Sequence, residues 1–227
     1  MPFLISESVL EKIVFLTDWR QISLADLKNF RRQLVDRYHR LPVDTGVDYS
    51  ADLNEISINT EFICDLIKRA EIGDYMVAQY YCDTADNLFK NLTIAFAIKR
   101  KVEGGQDVLI ADTFYLVNGD KISEAAFKPL HENYKRRREI LGGFPGGEFK
   151  KDREGRAHLI SVEMKEVFAK IDILNQDIFA YFILDDSIRG QATLSVTFTD
   201  ARVDIDRQFR EDDPGAYDHG TACCPIE

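Results

Sequence analysis

Long apolar runs are missing from this sequence. Nowhere do about 18 apolar residues follow one another without interruption, the length a membrane-spanning helix requires, so no membrane partner is expected. Glu7, Glu11 and Lys12 break the amino-terminal stretch Met1 to Leu16 before a signal-peptide core can form. Cysteine is scarce as well. Cys64, Cys82, Cys223 and Cys224 have neither Cys-x-x-Cys spacing nor an export signal, which excludes a disulfide framework and points to a reduced, cytoplasmic protein. For the same reason the Asn91-Leu92-Thr93 sequon reads as a chance match. Positive charge is in deficit: a formal net charge of −10 argues against nucleic acid as a partner, because phosphate would repel most of the surface. No Ser-His-Asp elbow, Rossmann glycine pattern or His-Glu-x-x-His helix occurs, so no catalytic constellation is recognised.

What is present is core-forming material: 45% hydrophobic residues, among them 15 Phe and 9 Tyr, suffice to pack a folded interior in 227 residues. Self-comparison organises it. Ile22 and the run Ser23-Leu24-Ala25-Asp26-Leu27-Lys28-Asn29-Phe30 lie 100 positions before Ile122 and Ser123-Glu124-Ala125-Ala126-Phe127-Lys128-Pro129-Leu130. Each run opens on a serine suited to cap a helix and continues with apolar residues at helical spacing: Leu24, Leu27, Phe30 and Leu34 in one, Phe127, Leu130 and Tyr134 in the other. Arg31, Arg32 and Asp36 are assigned to the opposite, wet face. Pro129 predicts a kink or a later start in the second helix.

A second block matches at offset 102. Asn59 and Ser161 are N-cap candidates for a further helix in each copy, and the aromatic runs Val77 to Tyr80 and Phe179 to Phe182 read as strands. Thr93 to Ile98 and Thr193 to Phe198, aligned at offset 100, alternate large and small residues as strands with one buried face. Further strands are predicted at Val108 to Ala111, Thr113 to Val117 and Arg202 to Arg207, the last with a wet acidic face. The expected fold is α+β: two tandem repeats of an α/β module with helices packed on a mainly antiparallel sheet. Residues 1–20 form a helical extension, 21–119 the first copy, 120–210 the second and 211–227 a cysteine-containing tail.

Two groups carry candidate chemistry. Lys135, Arg136, Arg137 and Arg138 are the densest basic run and the candidate ligand-binding residues, either contacting a phosphate or forming a solvated helix end. His219, Cys223 and Cys224 in the tail could supply metal ligands, zinc being the default ion, although adjacent cysteines are not the usual structural-zinc spacing, so no cofactor is assigned. Cys64 and Cys82 fall in apolar patterns and read as buried, inert thiols. Asp185, Asp186, Asp204 and Asp206 read as solvated turn and edge residues.

The Ile-Ser helix starts, the capped second helix feeding an aromatic strand, and the ending Gly220-Thr221-Ala222-Cys223-Cys224-Pro225 resemble a group of small uncharacterised bacterial proteins, notably of Bacteroidetes. Those carry one such unit and a Gly-x-x-Cys-Pro-like tail. The resemblance implies the module and no activity. The leading functional reading is a non-enzymatic protein-interaction or self-assembly protein, binding a protein partner or itself. The alternative is a small-ligand or nucleotide-binding sensor or enzyme with its site between the modules.

Overall fold

A computed structural model describes residues 20–41, 52, 54–82, 92–143, 156–169, 177–185, 193–199, 202–203 and 216–218 of the chain. Of the expected helical extension (1–20), residues 1–19 lie outside them and Arg20 begins a strand instead. The fold is α+β, with two antiparallel sheets and four helices among the described residues. No described helix is long and apolar enough to cross a membrane.

The helices begin where the polar caps dictate. In α1 (Leu24–His39) the Ser23 hydroxyl accepts from the Asp26 amide at 3.1 Å, while the Asp26 carboxylate accepts from the Ser23 amide at 3.2 Å, a closed capping box. Ser123 starts α3 (Glu124–Gly142) in the same way, accepting from the Ala126 amide at 3.2 Å. The later start predicted from Pro129 is not observed. Pro129, the sixth helical residue, gives up the bond its own amide would have made to Ala125, and the helix continues to Gly142. The predicted cap Asn59 is displaced by one: Thr60 is the N-cap of α2 (Glu61–Arg69) and makes no side-chain cap bond, while Asn59 before it accepts from the Glu61 amide; Ser161 accepts from the Met164 amide at the start of α4 (Val162–Phe168). Lys165 on α4 closes the other end of α2: its ammonium donates to the carbonyls of Ile67, Lys68 and Ala70 at 3.0, 2.8 and 2.6 Å, neutralising groups a helix terminus leaves unpaired.

The strands are β1 (Arg20–Ile22), β2 (Ile56–Ile58), β3 (Tyr75–Cys82), β4 (Leu92–Arg100), β5 (Val108–Leu109), β6 (Thr113–Leu116), β7 (Lys121–Ser123), β8 (Arg156–Leu159), β9 (Ile178–Asp185), β10 (Thr193–Thr199) and β11 (Ala216–Asp218). One sheet runs β1-β11-β10-β9-β2 and the other β7-β6-β4-β3-β8, with β5 adding to β4. Each sheet therefore takes strands from both sides of residues 119 and 120, where the sequence placed a module boundary. Their registers correspond. Ile56 faces Ala180 and Ile58 faces Ile178, while Arg156 faces Ala78 and His158 faces Met76: the same pairs with one partner moved by 100 positions and the other by 102. Gln21 opposite Tyr217 answers Lys121 opposite Tyr115, and Phe198 opposite Tyr217 answers Phe96 opposite Tyr115.

Four sequence expectations change. Phe198 is the counterpart of Phe96, so β4 and β10 correspond at 102 rather than 100; a slip of two residues keeps every side chain on its face, which is why the pattern concealed it. Arg202 and Val203 lie outside any strand, and β11 holds the place predicted for Arg202 to Arg207; residues 204–210 fall outside the described set. Both faces of β4 are buried. Ile94, Phe96 and Ile98 enter the central core, while Ala95 and Ala97 are small enough to lie beneath Phe127 of α3, itself stacked on Phe114 at 3.9 Å. The strand predicted to reach Ala111 ends at Leu109, where Ala111 (φ 62°) and Asp112 (φ 46°) turn the chain through the left-handed region into β6.

The central core joins the two sheets: Tyr80 meets Phe182 edge-on at 5.4 Å and Phe96 lies 6.3 Å from Phe198. Leu27 and Phe30 of α1 pack on the other side of β9, against Phe179, Tyr181 and Ile183. Past the ends of β2 and β8, the bare carbonyls of β9 and β3 are met by helix side chains. Arg31 donates to the Phe182 carbonyl at 2.7 Å, and His131, its counterpart 100 positions on, bonds the Tyr80 carbonyl at 3.0 Å.

At the turn into β3, Asp74 accepts two bonds from Arg100 (2.7 and 2.9 Å) and one from the Glu71 amide (2.7 Å). The Arg100 bonds hold its carboxyl below the usual range against the effect of burial. A carboxylate depressed by folding contributes stability above its unfolded pKa of about 4 that disappears as pH falls through the lower folded value. Asp74→Asn should therefore lower the urea midpoint at pH 7, and the gap from wild type, followed by circular dichroism, should narrow as pH falls below about 4.

Candidate functional site

The four basic residues singled out in the sequence leave α3 in different directions, because each step along a helix turns the side chain by about 100°. Lys135 pairs with Glu132 at 2.9 Å, Arg136 is exposed, and Arg138 lies over the Tyr134 ring at 5.9 Å. Arg137 turns inward and is 1% exposed. They do not form one anion-binding face.

Arg137 instead enters a polar cluster inside the protein. Its guanidinium donates to Oδ2 of Asp52, which is 0% exposed and also accepts from the Tyr38 hydroxyl. Arg31 donates to the Asp52 backbone carbonyl at 3.2 Å as well as to Phe182, and its guanidinium lies 5.8 Å from the centre of the Tyr181 ring. The Cys82 thiol, at the end of β3, is hydrogen-bonded to Arg137. The cluster thus draws on α1, the segment before β2, the end of β3, α3 and the backbone of β9. Arg31, assigned to the wet face from the sequence, is buried because an uncapped strand carbonyl and a buried aspartate give its charge partners.

The electrostatics follow from enclosure. Burial pushes the Asp52 carboxyl up, while Arg137, Tyr38 and Arg31 pull it back. Burial alone would lower the Arg137 pKa, but Asp52, Tyr38 and Cys82 raise it above its ordinary value and keep the guanidinium charged. Burial, then Asp52, drives the Tyr38 phenol well above its normal range, so it remains a donor. Oδ1 of Asp52 has no hydrogen-bond partner among the described residues. Chemically the arrangement is a buried charge lock: Arg137 and Tyr38 hold one carboxylate oxygen of Asp52 and Arg31 its backbone carbonyl, where the two sheets and their helices meet.

Comparison of the chain with protein-family models, curated proteins and solved structures gave no match.

A second cluster, nearer the surface, ties α2 to β6 and β7. Asp65 accepts from Tyr115 (2.5 Å), Arg69 (2.9 Å) and Lys121 (3.3 Å), and Lys121 lies 5.0 Å over the Tyr115 ring. Burial opposes ionisation of Asp65, yet these three donors bring its carboxyl below the usual range. Burial and the Asp65 charge together raise the Tyr115 phenol.

Of the other sequence candidates, Cys64 and Cys82 are buried and in no disulfide. His219, Cys223 and Cys224, and with them the zinc reading, lie outside the described residues, as do Asp186, Asp204 and Asp206. Among the described residues no group of three or more His, Cys, Asp or Glu is placed to hold a metal ion. Sequence reasoning missed Tyr38, Asp52 and Arg31 as a unit. A signal existed for two of them, since Arg31 and Tyr38 each stand four residues after a leucine of the apolar stripe. Asp52, in a polar loop, had none.

Proposed function

We propose that this chain is a non-enzymatic protein-interaction or self-assembly protein, built by tandem duplication of one α/β module. The matching registers of the two sheets support the duplication. The observation that carries the functional reading is where the chain spends its charge and where it leaves backbone open. Arg137, the centre of the basic run, is committed to Asp52 inside the protein, whereas β1, β2, β7 and β8 each have a single described partner strand. Such edges are templates for pairing with another chain. Beyond β6, the hairpin joining β4 to β5 also exposes Val102 and Val108 among exposed Lys101, Glu103 and Asp107, an apolar centre with a mixed-charge rim.

Light scattering across a concentration series tests this reading. The mass should rise above that of the 26.1 kDa chain, and Val102→Asp with Val108→Asp should return it toward the monomer. A wild-type monomer at every concentration, together with a thermal shift of several degrees from one class of nucleotide or phosphorylated metabolite, would overturn it in favour of a small-ligand site.

A further inference from the structure

The strand orders divide each copy of the module into a clasp and a body, and each clasp encloses the body of the other copy. The first clasp, β1, α1 and β2, gives no strand to the described residues of 61–159. β1 pairs with β11 and β2 with β9, and Leu27 and Phe30 of α1 pack against Phe179, Tyr181 and Ile183 of β9. The second clasp, β7, α3 and β8, holds the first body in the same manner: β7 pairs with β6, β8 with β3, and Phe127 packs against Val77 and Tyr81 of β3.

The clasps differ in how the backbone ties them to the body they enclose. β7 follows β6 through the tight turn Val117-Asn118-Gly119, closed by bonds of 2.9 Å from the Gly119 amide to the Leu116 carbonyl and from the Leu116 amide to the Asp120 carbonyl. So short a turn commits β7 to its own β6. The first clasp reaches β9 only by way of the whole of 61–159, entered through Asn59 and Thr60. It is held on β9 to β11 by strand pairing, by the bond from Arg31 to the Phe182 carbonyl and by the pair of Asp52 with Arg137. A second copy offers the same strands, carbonyl and guanidinium, so all of these contacts can form between chains while only the hinge at Asn59 and Thr60 opens.

We propose that the β1-α1-β2 clasp exchanges between two copies of this chain, each copy inserting it into the other's β9-β10-β11 sheet to close a twofold dimer. The inference rests on the self-assembly reading and gives it a route: surface contact brings two copies together, and exchange converts the contact into a lasting pair. The hinge sets the pace. The Asn59 amide donates to the Val117 carbonyl at 2.7 Å and its side chain to the Asn118 carbonyl at 3.3 Å, which holds the closed path in a folded chain. Exchange therefore belongs to chains that fold side by side.

Arg20 and Asp218, partners across β1 and β11, report on it. Two full-length preparations, both carrying Cys223→Ser and Cys224→Ser, add Arg20→Cys in one and Asp218→Cys in the other. Directly opposed strand residues lie within the span of a disulfide. Unfolded together in urea and refolded at high concentration, the two should give at least about tenfold more of the mixed interchain disulfide, mapped by mass spectrometry, than when mixed already folded. A chain carrying both substitutions, refolded dilute, should close the bond within itself, which shows that the native register survives them. No gain on joint refolding, with a dimer still seen by light scattering, overturns exchange and leaves self-assembly standing. No gain and a monomer at every concentration overturn both.

Discussion

Arg137→Ala should lose about 3–5 kcal/mol of unfolding free energy in urea followed by circular dichroism, because removing one member of a buried ion pair strands the other. Asp52 is fully enclosed, and without the guanidinium its Oδ2 keeps only the Tyr38 hydroxyl as a described side-chain donor. The variant should recover part of the loss as pH falls. Burial already pushes the Asp52 carboxyl up, and removing its nearest cation raises it further, so protonation relieves the folded variant before it affects the unfolded chain. The double replacement Asp52→Leu with Arg137→Met should cost less than Arg137→Ala alone, since it strands no carboxylate; its remaining cost comes from Arg31 and the Tyr38 hydroxyl, which lose Asp52 as a partner. A loss under about 1 kcal/mol for Arg137→Ala, the range of an exposed pair, would show that water reaches the lock.

Phe182→Ala should cost a similar about 3–5 kcal/mol, the transfer loss of a large aromatic plus the cavity it leaves. Phe182 is fully buried on β9 and meets Tyr80 of β3 edge-on, so it spans the contact between the two sheets. A double-mutant cycle with Tyr80→Leu should return a coupling of about 0.5–1.5 kcal/mol, the range of aromatic pairs in contact. Additive losses would mean that the sheets are not coupled through this pair. Two separate urea transitions in Phe182→Ala would mean that they unfold independently.

Local chemistry was legible in the sequence wherever one residue decides the outcome. Ser23 and Ser123 cap the helices that follow them, and the aromatic runs around Tyr80 and Tyr181 became β3 and β9. The α+β class follows from those elements. Pairing was not legible. That β8 lies beside β3, and β2 beside β9, depends on contacts about 80 to 120 residues apart that no local pattern encodes. The burial of both faces of β4 was hidden because Ala95 and Ala97 look like the neutral side of an alternating strand, and only the arrival of Phe127 gives them their role. The lock was half visible: Arg31 and Arg137 occupy positions on apolar stripes, and a charge on such a stripe is a demand for a buried partner. Nothing in the loop before β2 marked Asp52 as that partner.

The strand orders have a consequence for the timing of synthesis. β7-β6-β4-β3-β8 is drawn from one continuous stretch, Tyr75 to Leu159, and every partner strand exists once that stretch has left the ribosome. The other sheet opens with Arg20 to Ile22 and finds their neighbours only at Ala216 to Asp218. The first described strand emerges early and waits for almost the last. A nascent chain therefore completes the Tyr75 to Leu159 sheet first, and the other sheet closes afterwards around it, bringing together strands about 200 residues apart in sequence.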